Sequence, residues 1–219
     1  MKKTKPYFML VIYFFSVVIP IFSVVVRALL PHVLHSTFSE PALIGIEYTL
    51  LFCITMSLYG KDVWDSFAYL KQKPFKKIFF VLFLYISSLL LLFVLLYVLD
   101  IQPEQTENNQ IVLEYIKSVP FLWALILISV FGAIVEEVVF RHIMIGHFSK
   151  KIPTFLAVSL SMTCFVLLHS FHYPELVHYI PLTLMITTSY LVSGKNMSIS
   201  FLFHFINNAI SVIALYHQP

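Results

Sequence analysis

Apolar residues in this chain run in long continuous blocks separated by short polar segments. The blocks cover approximately residues 7–26, 42–59, 78–99, 120–148, 152–169, 174–193 and 197–216. About 20 apolar residues in helical form cross a hydrocarbon core. The strict apolar/polar alternation of barrel strands is absent, and continuous Leu, Phe, Ile and Val blocks favour helices. The pattern therefore predicts an all-α, polytopic transmembrane helical bundle with about seven spans. Pro, Gly and Ser clusters occur only as short connections, and there is no internal repeat, so residues 1–219 are expected to form a single membrane domain.

Composition agrees with this reading: 59% of residues are hydrophobic and only 11% charged, values far from those of an ordinary soluble domain. The basic residues carry a direction. "MKKTK" precedes the first block, "GKDVWDSFAYLKQKPFKK" follows the second, "SKK" the fourth and "SGKN" the sixth, whereas "DIQPEQTENNQIVLEYIKS" and "SFHYPELVHY" hold almost none. Lys-rich short loops stay in the cytoplasm, which predicts the N-terminus inside and the C-terminus outside. The net charge of +3 then reflects topology and anionic lipid headgroups, and no nucleic-acid partner is implied. The first block is too long for a signal peptide and lacks a small-x-small cleavage site, so it is expected to remain as an anchor. Cys53 and Cys164 fall inside predicted spans, where buried apolar thiols are expected. Residues 59–77 are expected to be a charged loop, either solvated or lying on the membrane surface through Trp64, Phe67 and Tyr69.

Candidate chemistry lies in the polar residues within the spans. "FGAIVEEVVFRHIMIGHF", residues 131–148, places Glu136, Glu137 and Arg141 at membrane depth. Such charges cost roughly 2.5 kcal/mol or more each on insertion scales, so they mark a function and need partners. At helical spacing Glu137 and Arg141 stack as an i,i+4 pair, while Glu136 points about 100° away. His169 follows Phe165 by one turn in "FVLLH". His204 and Asn208 share a face in "HFINN", with Asn207 on the flank. A carboxylate base, an imidazole sharing its water and a His/Asn pair of donors to a developing oxyanion would together suit water attack on an amide.

These three motifs, EExxxR at 136–141, FxxxH at 165–169 and HxxxN at 204–208, resemble in order the signature of the CAAX protease and bacteriocin-processing intramembrane endopeptidases, the Abi family. The resemblance covers roughly the C-terminal half, with catalytic helices within 120–216. It implies that Glu136 and His169 activate water, that His204 and Asn208 stabilise the oxyanion, and that Glu137 and Arg141 support the site structurally. It also implies a peptide or protein substrate in the membrane, with CAAX-like proteins as one branch, and a bacterial plasma-membrane location. Family members are often drawn with eight helices, so an eighth span is possible. No cofactor is required by this mechanism; Glu136, His169 and His204 would be the ligands if zinc served instead.

Plainer readings stand beside these. The glutamates could form a buried ion-pair network without chemistry, His169 could close its helix at the interface with His172 in reserve, and His204 with Asn208 could join helices for ~0.6 kcal/mol. A non-catalytic scaffold or bacteriocin-immunity protein that binds a peptide or transporter would fit such a network. Counted at 1.5 Å per residue, Glu136, His169 and His204 lie roughly 18, 26 and 10 Å from the lysine-rich ends of their helices. These depths do not form one level, and they single out His169 as the member least aligned with the others; cleavage is expected near the cytoplasmic half of the bilayer.

Overall fold

The computed structural model describes residues 4–19, 21–34, 38–102, 106–170 and 172–218. Every regular element among them is helical. In chain order these are α1 (Lys5–Val18), α2 (Ile21–Leu34), α3 (Glu40–Ala68, closed by a tight turn to Lys71), α4 (Pro74–Val98), α5 (Glu107–Ser118), α6 (Phe121–Lys150), α7 (Thr154–His169), α8 (Glu175–Val192) and α9 (Met197–Tyr216). All seven apolar blocks are thus helical. Four of the helices, α3, α4, α6 and α9, are long and apolar enough to cross a bilayer, and the bent pair α1 and α2 could make a fifth crossing. α7 is apolar but shorter, with 16 residues. The chain is an integral membrane protein built from these helices.

Three segments differ from the sequence reading. The first block is two helices: Lys5–Val18 and Ser23–Leu29 meet at 73°. Ile19 is extended, with φ −115° and ψ 98°, the conformation forced on a residue that precedes a proline. Residues 59–68 are not a loop but the last turns of α3, whose 29 residues project past the apolar block. The polar segment before residue 119 contains α5, an amphipathic helix that buries Tyr115 and Ile116. Its start is legible afterwards: the Thr106 hydroxyl accepts from the Asn109 backbone N–H at 3.2 Å, an N-cap that satisfies one of the helix's free donors.

Lipid-facing and packed helices are readily told apart. α4 exposes Phe75, Phe79, Phe83, Leu90, Phe93 and Tyr97 along most of its length, as expected where the surrounding solvent is hydrocarbon. α6 is the central helix, with half of its most apolar stretch buried against 17% for α4. It is also irregular, since Leu127–Gly132 and Glu137–His147 are wound as wide π-helical turns. Such turns are rare and concentrate at functional sites. Cys53 lies exposed on α3 and Cys164 is only partly buried, so the expectation of two buried thiols fails: Cys53 faces outward from the bundle.

The largest buried cluster surrounds the lower half of α6 and joins α1, α3, α7 and α8 through Tyr13, Tyr59, Val138, Phe140, Ile143, Phe165 and Tyr190. Its tightest approach is at Gly146, where a Cβ would stand 2.6 Å from the Tyr190 hydroxyl. Gly146→Ala is therefore expected to destabilise the purified protein by about 1–3 kcal/mol, the usual cost of overpacking. Adding Tyr190→Phe should recover most of the loss, as read by thermal unfolding in detergent; an equal melting temperature for Gly146→Ala and the unaltered chain would show that the contact is not tight.

Candidate active site

Adjacent positions on α6 send two carboxylates into different surroundings. Glu137 is fully buried and Arg141 is 1% exposed. Arg141 Nη1 lies 3.5 Å from Glu137 Oε1, the i,i+4 contact expected from the sequence. Among the described residues no acceptor hydrogen-bonds to the guanidinium, which instead covers the Phe165 ring at 4.4 Å from its centroid. A cation on an aromatic face in a dry setting gains about 2 kcal/mol. The Phe of the FxxxH motif thus serves the Arg of the EExxxR motif.

The same Glu137 oxygen accepts from His204 Nδ1 at 3.0 Å, a contact that the sequence reading did not include. An ionised carboxylate can only accept, so Nδ1 carries a proton and the ring orientation is set. His204 Nε2 then faces Glu136, whose Oε2 stands 3.6 Å away. Glu136 is about one-fifth exposed and lines a cavity of about 550 Å³.

His169, His204, Asn207 and Asn208 line this cavity as well. Despite the spread in depth counted along the helices, α6, α7 and α9 bring all four expected site residues to one space. His169 stacks on Phe165 with ring centroids 4.5 Å apart, and its Nδ1 bonds the Phe165 carbonyl at 2.7 Å. Its Nδ1 is therefore also the protonated nitrogen, leaving Nε2 as the acceptor. Asn208 donates to the Ile128 carbonyl at 3.3 Å, in the first wide turn of α6, and accepts from Asn207 at 3.2 Å. With its oxygen held by Asn207 and one amide hydrogen by Ile128, Asn208 has a second hydrogen free. Asn207 is a site residue that the sequence singled out only as a flank.

Other histidines take lesser places. His172, the reserve for His169, is exposed and pairs loosely with Glu107 at 3.8 Å. His178 lines the cavity. The zinc set of Glu136, His169 and His204 does not fit: the three share a cavity, but among the described residues no three His, Cys, Asp or Glu side chains are grouped so as to hold a metal ion.

The described residues thus form a helical membrane bundle with a cavity lined by carboxylates, imidazoles and amides. Residues 118–210, which contain all three motifs, match the family described as Rce1-like: Type II CAAX prenyl endopeptidase Rce1-like. The resemblance of this chain to the CAAX protease family is thereby borne out, and with it protease activity as the family's general chemistry. No curated protein and no solved structure matches the chain.

Removing one partner of the buried pair strands the other. Arg141→Met removes the guanidinium and leaves buried Glu137 with His204 alone, which is expected to cost up to about 3–5 kcal/mol and to lower the amount of folded protein in the membrane. Glu137→Gln combined with Arg141→Met should accumulate better than Arg141→Met alone. Equal unfolding temperatures for all variants and the unaltered chain would show that the pair does not hold the helix.

Proposed function

We propose that this protein is an intramembrane endopeptidase that hydrolyses a peptide bond of a membrane-associated or hydrophobic peptide without a metal ion. The observation that carries the reading is the meeting of Glu136, His169, His204 and Asn208, from three separate motifs on three helices, in one cavity. A catalytic arrangement needs this convergence, and mere helix packing does not.

In this mechanism a water between Glu136 and His169 Nε2 attacks the scissile carbonyl carbon, and Glu136 takes its proton as general base. The carbonyl oxygen becomes an oxyanion, which receives hydrogen bonds from His204 Nε2–H and the free Asn208 amide hydrogen. His204 donates from Nε2 as an imidazolium, its Nδ1–H held by Glu137. The C–N bond then breaks as the proton collected by Glu136 passes to the leaving amine. Glu137 and Arg141 act as positioning residues through His204 and Phe165. The seven apolar helices, in one membrane domain of residues 1–219, are read as seven spans with the N-terminus in the cytoplasm of a bacterial cell.

Glu136→Gln and His169→Ala should each abolish peptide cleavage while leaving protein level in the membrane unchanged; His204→Ala should also abolish cleavage and, by removing the hydrogen bond to buried Glu137, lower the level of folded protein. Their effects should not add, because residues acting as one unit lose most of the rate at the first deletion. Asn208→Ala should slow turnover by about 100-fold or more, the usual cost of one oxyanion donor, with little change in KM. Purified protein is expected to hold no stoichiometric zinc and to keep its activity after prolonged chelation. A Glu136→Gln variant that kept its cellular effect would favour a non-catalytic scaffold or immunity protein, and loss of activity on chelation with recovery on zinc would overturn the metal-free step.

A further inference from the structure

The cavity is placed asymmetrically along the bundle. On α6 its lining runs from Leu127 to Glu136, in the first half of the helix; on α9 it runs from His204 to Leu215, towards the end. α3 contributes from Glu40 to Tyr48, α4 from Ser88 to Leu92 and α5 from Asn108 to Ser118. On α3, α4 and α6 the lining residues lie on the part of the helix remote from its lysines, on α9 they lie remote from Lys195 before its start, and only α5 carries a lysine, Lys117, beside lining residues. The other described lysines gather at the opposite end: Lys5 pairs with Asp62 at 3.2 Å, Lys195 donates to Ser149 at 2.7 Å, and Lys151 reaches Tyr7. Lys71, Lys73, Lys76 and Lys77 occupy the α3–α4 turn at the same end.

The way from the site to that lysine-rich end is filled. Glu137 and Arg141 form the floor beneath Glu136, and below them Tyr59, Val63, Val138, Ile143, Tyr190 and Met197 pack as a continuous buried cluster. Protein interiors at such density pass neither water nor a peptide. At the other end the cavity reaches the exposed Glu40, Glu114 and the polar face of α5, where among the described residues Arg27 beside Glu40 and Lys117 on α5 are the basic side chains. Short basic loops are kept in the cytoplasm, so the packed end is the cytoplasmic one.

We infer that the catalytic cavity opens to the extracytoplasmic side, and that its substrate class is an exported or membrane-inserted polypeptide whose scissile bond lies in the outer half of the bilayer. A prenylated tail presented in the cytoplasm would meet the closed end. This rests on the peptidase reading of the cavity and goes beyond it. It also reverses the expectation of cleavage near the cytoplasmic half, because the cavity extends from Glu136 away from the lysines and the core fills the space towards them.

The test uses the full chain in cells, on a Cys53→Ala/Cys164→Ala background, with three single-cysteine variants. Glu114→Cys reports the opening, Ser211→Cys the cavity wall and Lys61→Cys the lysine-rich end; none is a proposed catalytic residue. The probe is a small membrane-impermeant cationic methanethiosulfonate. In intact cells stripped of their outer envelope, Glu114→Cys and Ser211→Cys should be modified and Lys61→Cys protected; inverted vesicles should give the reverse. Modification of Ser211→Cys only in inverted vesicles, or from neither side while Glu114→Cys reacts from outside, overturns the inference. The labelling does not depend on proteolysis, so these outcomes stand apart from failure of the peptidase reading, which Glu136→Gln decides.

Discussion

One buried oxygen, Glu137 Oε1, is shared between an arginine and a histidine, and the rest of the site depends on it. Arg141 lies 3.5 Å from it and His204 Nδ1 3.0 Å, in a part of the bundle from which water is excluded. Charges in such a setting cost several kcal/mol each unless they are paired and hydrogen-bonded. The network meets this cost with three elements: Glu137 from α6 itself, His204 from α9, and the Phe165 ring from α7 beneath the guanidinium. Three helices are thereby joined at the depth where the chemistry is placed. The wide turns of α6 on either side of Ala133–Glu136 set the neighbouring carboxylates in their different places, one in the floor and one at the cavity.

The consequence for function is a division of labour between consecutive residues. Glu137 is fully buried and engages Arg141 and His204 through one oxygen, and it does not line the cavity where a substrate would exchange protons. Glu136 keeps an oxygen without a hydrogen-bond partner among the described residues and meets the cavity. The same division appears in the amides of α9, where Asn207 orients Asn208 by donating to its oxygen. Orientation before the reaction is what makes a donor effective towards a charge that exists only in the transition state. On the lysine-rich side of the network the bundle is solid, and on the other it is hollow.

Much of this was legible in the sequence. The apolar blocks fixed the helices because lipid leaves the backbone no other way to satisfy its polar groups, and the i,i+4 spacing of Glu137 and Arg141 anticipated their pairing. Three features needed coordinates. The bend after Val18 and the extension of α3 through residues 59–68 depend on local backbone preference, which block-scale hydropathy averages away. α5 is amphipathic and short, so its apolar residues were diluted by Glu107, Asn108 and Asn109 in a segment read as a loop. The Glu137–His204 contact joins positions 67 apart in sequence, and the wide turns of α6 alter the facing of its residues, so helical spacing could not assign it. Depth counts along single helices separated Glu136, His169 and His204 for a related reason: helices that differ in length and project unequally share no common origin.

The central claim is that Glu136 and His169 hold the attacking water while His204 and Asn208 receive the oxyanion. An experimental structure of the Glu136→Gln protein with an uncleaved hydrophobic peptide in the cavity tests it most directly. The account predicts the scissile carbonyl oxygen within hydrogen-bond reach, roughly 2.7–3.1 Å, of both His204 Nε2 and Asn208 Nδ2, with its carbon facing the space between residue 136 and His169. A peptide bound with its carbonyl turned away from His204 and Asn208, or held outside the cavity altogether, would contradict it.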